Sequence, residues 1–541
     1  MKNIAILLSL AALLAPCSNA LAQEVDLNQE AIKDLYFDWV GATPANTSAG
    51  VYRDITYWNL FAMRQKGWNG GNDCNSIPLP DGNTLWTFGD SYFGRISEFR
   101  DRMQYNNRPH NAAQVQVQQG ELYGEDDFVT LNEYVSTSQN NPMYYYKGKD
   151  WVRHPEATLS QSDIDLGLID DAHYLRPEDG TVVLSGGETH LQQIFSSYNK
   201  DGERDGLYVV EFGVQGEPTE KGYLMELSKV KIPYVADFGH AILEDGGHNY
   251  LYATVKQTGA SGYNTVIART TGRSLRSQWE YYIKDDAGVY NWQTEVPTAE
   301  QVAKSKINGA VKTYGPSVFK YADKYFMVSQ TAVNGNIQIA MADDPWGPFK
   351  VQRRIYTVKS DEAVVNHVFV HPQLSRMGEL VLSYVTEPEG ITIYSKGSDG
   401  EAIATNLTGE ERNRYGWGSA SLNQPHFLRV FNWQKMFDVS DTGAMQDAGL
   451  AEWNTEDAIQ SISLSDGSVK VYPTTVTASF SIDAPADASY KWNVASLSGA
   501  VAKAGAATGN TLVSVSDLAK GIYVVTVGEG SSKTTTKIIK Q

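Results

Sequence analysis

One shape recurs along this chain between about residues 50 and 435: an approach strand, a turn holding Gly or Asp, then an apolar, aromatic-rich strand. It is written as IPLPDGNTLWTFGDS, HYLRPEDGTVVLSGGE, AILEDGGHNYLYATVK, SVFKYADKYFMVSQ and PQLSRMGELVLSYV. Alternating runs bounded by turn residues make antiparallel hairpins. The turn positions 82, 180, 246, 323 and 378 lie 74 residues apart on average, room for one four-stranded sheet with long loops. Five such sheets about an axis make an all-β, five-bladed β-propeller. Its closure pairs a strand from ITYW or NLF, at 55–61, with HFLRVF at 426–431. The competing arrangement is two β-sandwiches in tandem, between which five like hairpins divide poorly. AEQVAKSKI at 299–307 is the best helical pattern and would sit on a loop.

The two ends read differently. Lys2, the apolar run IAILLSLAALLA and Ala20-Leu21-Ala22 make residues 1–22 a secretory signal peptide, followed by an N-terminal segment, 23–49, and the propeller at 50–435. LAPC, ending at Cys17, offers lipoprotein cleavage as an alternative, to which Pro16 is a poor fit. No later apolar run approaches the ~20 residues a membrane helix needs. Beyond a linker at 436–462, residues 463–541 become small, Thr/Ser/Val-rich and free of His, in short alternating runs that make a small C-terminal β-sandwich. With Cys17 removed, Cys74 has no disulfide partner and reads as a small buried hydrophobe. A formal net charge of −18 argues against nucleic acid as a partner. Neutral substrates fit better, and 12 Trp and 31 Tyr supply many faces of the kind that stack on sugar rings.

Residues 70–91, GGNDCNSIPLPDGNTLWTFGDS, carry an Asp near each end. Taking PDGN at 80–83 as a four-residue loop places Asp73 opposite Asp90 across the hairpin, and Pro78 where no ladder donor is needed. Facing Cβ atoms lie about 4.5–5.5 Å apart. Two carboxylates that close repel unless something uses them. One use is the acid and anion of a glycosidase, and a separation near 5 Å favours a nucleophile with an acid/base and retention of configuration. The start of the innermost strand gives Asp73 the nucleophile's place. The bland reading is that Asp90 caps a turn and Asp73 accepts backbone N–H bonds. The GDS of Gly89-Asp90-Ser91 also suggests a Ser hydrolase, but that chemistry wants a Ser at a strand-to-helix turn with a His partner, and no helix follows. Asp-rich turns such as EDGG lack calcium-site spacing, so a calcium ion would be structural, and no zinc or nucleotide motif occurs.

GWNGGNDCNSIPLPDGNTLWTFGDSYFG, with ADDPWGPF at 342–349, HPQLSRMGELVLSYV at 371–385 and QPHFLRV, resembles the five-bladed propeller family catalogued as domains of unknown function 4185 and 5005. Some of that group are endo-acting D-arabinanases. Asp73 and Asp90 match the two acidic positions of its W-x-G-G-D-G and F-G-D-T elements, which the resemblance implies are the catalytic pair. Asn72, Cys74 and Ser91 depart from that pattern and leave the substrate open. More distantly, the blade openings resemble furanosidase propellers, in which acidic residues begin successive inner strands. Asp170, Asp171 and Asp237 fall in such places and would orient sugar hydroxyls or tune a catalytic group, although each alone also reads as a strand-start cap. His240 and His371 would line the funnel, and Trp68 and Tyr92 beside the pair are the aromatic candidates for sugar contact.

VYP at 471–473, LAKGIYVVTV at 518–527 and the closing KTTTKIIKQ are similar to the C-terminal sorting domain of the type IX secretion system of Bacteroidota. That implies export through the periplasm and release or attachment at the outer surface. The first expectation is therefore a secreted or surface glycoside hydrolase, without organic cofactor, acting on an arabinan-like furanose polysaccharide. The alternatives are a glycan-binding propeller that does not cut, and a surface adhesion or scaffold protein.

Overall fold

The computed structural model describes residues 37–437 and 470–540, less the stretches 97–100, 103–106, 118–127, 135–146, 258–261, 358–362, 397–401, 408–417, 484–488, 497–500 and 529–533 and shorter ones of one to three residues. The expected leader and nearly all of the expected linker lie outside the described residues.

Five sheets of four or five strands follow one another along the chain. Their first strands are Asn72–Pro78, His173–Ser185, Ala241–Asp245, Tyr314–Tyr321 and Ala363–Val370. Each packs against the next, and Ala363–Val370 packs back against Asn72–Pro78, so the cycle closes. Hydrophobic cores fill the spaces between consecutive sheets. Leu85 and Val115 of the first sheet meet Leu191 and Phe195 of the second, whereas Trp86 and Phe88 meet Val381 and Phe427 of the fifth. Successive side chains of a strand point to opposite faces. With both faces covered, the second strand of each hairpin is mostly apolar and rich in aromatics, and the polar residues it does bury, such as Gln193 and Ser196, are hydrogen-bonded. The same alternation sends Val209 toward the third sheet, Met327 toward the third and Phe326 toward the fifth.

Three local expectations are corrected. Closure is made by Asn46–Asp54, which pairs with Pro425–Phe431 in the register Val51↔Val430. Residues Ile55–Ala62 are instead a helix, started by the Asp54 carboxylate accepting the Tyr57 N–H at 3.0 Å and buried through Tyr57, Leu60 and Phe61. Asp179-Gly180 is not a hairpin turn: His173–Ser185 runs through it by a β-bulge between Pro177 and Gly180 and stays paired with the next strand as far as Ser185↔Glu188. In the first sheet the register is Pro78↔Thr84, one residue from that expected, with a second irregularity between Asn72 and Asn75.

The other turns stand. Asp245 pairs with His248 about Gly246-Gly247, and Tyr321 with Lys324 about Ala322 and Asp323, both at positive φ as a type I′ turn requires. The expected helix is Ala299–Lys304, capped reciprocally by Thr298 and Gln301. Residues 470–540 form a three-stranded and a five-stranded sheet that share one core around Phe480, Ile482, Val494 and Val525. Among the described residues no helix is long and apolar enough to cross a membrane.

Candidate active site

The first sheet's irregularity sets the site. Two residues, Asp73 and Cys74, stand opposite one between the pairs Asn72↔Gly89 and Asn75↔Thr87. Asp73 is thereby forced to φ 52°, and Asp90, just past the end of Thr84–Gly89, to φ 26°. Left-handed backbone is costly for residues with a Cβ, and persists where the surroundings over-determine it. Here they do: Asp90 donates its N–H to the His110 carbonyl at 3.0 Å, and Ser91 to that of Pro109 at 2.7 Å. The direct cross-strand pairing of Asp73 with Asp90 is therefore replaced by a bulge, yet the two carboxylates stay within each other's electrostatic reach. A methyl on Gly89 would sit 2.8 Å from Asp73 Oδ2, so only glycine leaves room for that carboxylate.

Asp90 is buried, with 6% of its surface exposed. Its Oδ2 accepts from Arg176 and is 3.2 Å from Arg108 Nη2. Burial alone would raise its pKa, but the charges of Arg176, Arg108 and His110 together outweigh burial and the nearby Asp73, and hold it below the usual carboxylate value. Asp90 is an anion at neutral pH. Asp73 is half-buried and lies within the electrostatic reach of Asp90 and Arg176.

A stack of rings continues from this pair onto the second sheet. His110 lies 3.9 Å above Tyr174, and Tyr174 lies 5.0 Å from Tyr198, nearly parallel. Arg176 covers Tyr198 at 4.7 Å, and Arg204 Nε donates to the Tyr198 hydroxyl at 2.7 Å. Arg204 in turn pairs with Asp237 and, at 3.4 Å, with the buried Glu178. Glu178 accepts from Ser196 Oγ at 2.6 Å and faces His240 Nδ1 at 3.5 Å. His240 Nε2, buried and without a hydrogen-bond partner, points toward Gly315 of the fourth sheet. One polar network thus runs from Asp73 and Asp90 to Asp237 and His240, across the starts of the first three inner strands.

The other expected residues are placed elsewhere. Asp170 is a loop organiser, accepting backbone N–H groups of Thr158, Leu159, Ala172 and His173. Asp171 is exposed and reaches His110 Nε2 at 3.3 Å. His371 is fully buried between Ser76 Oγ, at 2.6 Å, and Ser383 Oγ, at 2.8 Å, and burial, with Arg429 nearby, pushes its pKa down to about 3. Trp68 is also fully buried, donating to Ser91 Oγ at 3.2 Å. These two have no surface to offer a sugar. Tyr92 is 1% exposed under the Arg102 guanidinium at 4.1 Å. The Ser91 hydroxyl is used by Trp68 and the Gly89 carbonyl, which removes the Ser-hydrolase reading. Cys74 is a free, buried thiol whose pKa burial raises. A cleft of about 550 Å³ bordered by Trp151, Arg153, Asp170 and Tyr223 lies on the flank of the first two sheets, and neither Asp73 nor Asp90 lines it. Among the described residues no three His, Cys, Asp or Glu side chains converge as metal ligands.

Sequence reading missed Arg108, His110, Arg176, Glu178 and Arg204. Glu178 and Arg176 stand in HYLRPEDG, whose composition reads as approach and turn; the signal that marks them is an Arg and a Glu within one of the ring's inner strands.

Fold and site together define an all-β protein, a closed ring of five sheets with a buried, arginine-paired aspartate site at one end, carrying a separate C-terminal β module. The chain belongs to the family described as Domain of unknown function (DUF5005), whose model matches residues 54–433. Residues 470–541 match the Secretion system C-terminal sorting domain, which marks the protein for export to the cell surface or beyond. No curated protein matches. A crystal structure of a candidate hydrolase from Bacteroides ovatus ATCC 8483 is 30% identical, covering 77% of this chain and 98% of that one with a TM-score of 0.64. Weaker matches are the GH43_1 enzyme from Xanthomonas citri complexed with xylotriose, 13% identical over 64% of this chain and 95% of that one, TM-score 0.32, and Cellvibrio cellulosa alpha-L-arabinanase, 10% identical over 64% and 98%, TM-score 0.30.

Proposed function

We propose that the ring is a five-bladed β-propeller and that the protein is an exported glycoside hydrolase of a furanose-containing, arabinan-like polysaccharide. The observation that carries this is the pair itself: two neighbouring aspartates, both on left-handed backbone, one of them fixed as an anion by two arginines. Such unlike environments are what separate an acid from an anion in glycoside hydrolysis. The B. ovatus relative, a candidate hydrolase, supports the reaction type.

Asp90, kept ionised, is the nucleophile that attacks the anomeric carbon. Asp73, less buried and facing that charge, carries the proton, gives it to the departing sugar oxygen and takes one back from the incoming water. This reverses the roles suggested by strand position, because charge environment outweighs place in the chain. Asp237, part-exposed before the third inner strand, orients sugar hydroxyls, whereas His240, with Nδ1 on Glu178 and Nε2 buried, has no ring nitrogen to offer one. Chemistry needs no organic cofactor, and the sorting domain delivers the enzyme through the periplasm to its substrate. The test is product release from a panel led by D-arabinan and L-arabinan, with the first-formed anomer followed by proton NMR. Retention is expected; inversion would overturn the assignment of Asp90 as nucleophile, and no cleavage of any furanose polymer would overturn the substrate class.

A further inference from the structure

Asp90 has two guanidinium partners, and a third cationic group stands behind them. His110 has its side chain only 9% exposed, with Nε2 3.3 Å from Asp171 Oδ1 and Nδ1 3.7 Å from Asp150 Oδ2. Its backbone N–H is held by Asp150 Oδ1 at 2.7 Å, and its carbonyl receives the Asp90 N–H at 3.0 Å. Its ring lies on Tyr174 at an interplanar angle of 12°. The groups facing it are thus Asp150, Asp171 from the loop before the second sheet, Tyr174 from that sheet's first strand, and Asp90, which Arg108 and Arg176 also contact. Three carboxylates surround one imidazole.

We propose that His110 is a positioning residue for the acid pair: fixed between Asp150 and Asp171, it holds the Asp90 backbone in its left-handed turn through the carbonyl and supplies a charge that keeps the Asp90 carboxylate ionised. The inference rests on the reading that Asp90 is catalytic. Burial would lower the His110 pKa, but Asp150, Asp171 and Asp90 outweigh it and raise it to about 9. The cation therefore persists across neutral pH. Because coupling is reciprocal, whatever His110 does for Asp90, Asp90 does for His110.

Nine histidines allow each ring to be followed by NMR in the full-length chain, with His110→Gln identifying the resonance. His110 is expected to titrate near pH 9, and at least about half a unit lower in Asp90→Asn. Asp171 is 89% exposed, so Asp171→Asn leaves the fold intact; it should lower the same pKa and move the alkaline limb of the pH–rate profile down by a matching amount. His110→Gln should lower kcat about tenfold with KM little changed. An unchanged His110 titration in Asp90→Asn, or an Asp171→Asn profile that does not follow the NMR shift, overturns the proposal. A wild-type protein that shows the coupling but cuts no polysaccharide overturns the hydrolase reading instead, and leaves the charge coupling standing.

Discussion

Asp90 holds its carboxylate under two guanidiniums on a backbone of φ 26°, and Asp73 lies beside it on one of φ 52°. Both conformations cost free energy that glycine would not, so the turn is retained for the side chains it aims. Gly89 sits between them and has the complementary requirement. Gly89→Ala should displace the Asp73 carboxylate, since its methyl would lie 2.8 Å from Oδ2, and lower kcat by about 10²-fold, the usual effect of a displacement near 1 Å. Rates and thermal melting measured together check this; an unchanged kcat with an unchanged Tm would show that Asp73 can move freely. At this scale the two aspartates were legible, because spacing about a turn brings the ends of a hairpin together whatever the register. Their partners were not. Arg108 and His110 follow a loop, and Arg176 and Arg204 come from another sheet, so no local pattern announces them.

Hairpins were the best-read elements, for a physical reason. Gly246-Gly247 and Ala322-Asp323 demand positive φ, which few residues adopt, while PEDG has the composition of a turn but lies in a strand that bulges past Gly180. The closure strand was misplaced by one element. Asp54 caps the following helix and at the same time accepts Arg429 Nε at 2.6 Å. Arg429, fully buried in Pro425–Phe431, also pairs with Glu379 and donates to the Leu374 carbonyl at 3.1 Å. That triad ties Pro425–Phe431 to the end of Asn46–Asp54 and to the residue before Leu380–Pro388. Arg429→Met leaves two buried carboxylates uncompensated and should destabilise the ring by about 3–5 kcal/mol. Denaturant unfolding measures the loss, and a change under ~1 kcal/mol would show that the intersheet cores alone close the ring.

The molecule as a whole should be most stable near pH 6.5. His371 is held neutral, its pKa near 3 from burial and then Arg429, and His426 near 4 from burial and then Arg53. The unfolded chain binds protons at these sites below about pH 6.5 while the folded chain does not, so stability falls with pH through that window, by about 2 kcal/mol at pH 5 for His371 alone. His110 acts oppositely: its stabilisation is complete below about 6.5 and is lost as pH rises through about 9. Thermal melts from pH 5 to 9 should trace that maximum, and a Tm still rising at pH 5 would contradict the buried neutral histidines. A cyclic, five-sheet arrangement was readable from five hairpins of similar shape because each sheet buries both faces; which carboxylate keeps its charge was not, since that depends on residues brought together only when the ring closes. The proposed cleavage of a glycosidic bond by Asp73 and Asp90 stands or falls on one comparison: cleavage of, and affinity for, the best polysaccharide measured with wild type, Asp73→Asn and Asp90→Asn. Both variants should bind within a fewfold of wild type and lose turnover by about 10³-fold or more. Variants that lose affinity in step with any activity would make the site a glycan-binding one and contradict the paired-carboxylate mechanism.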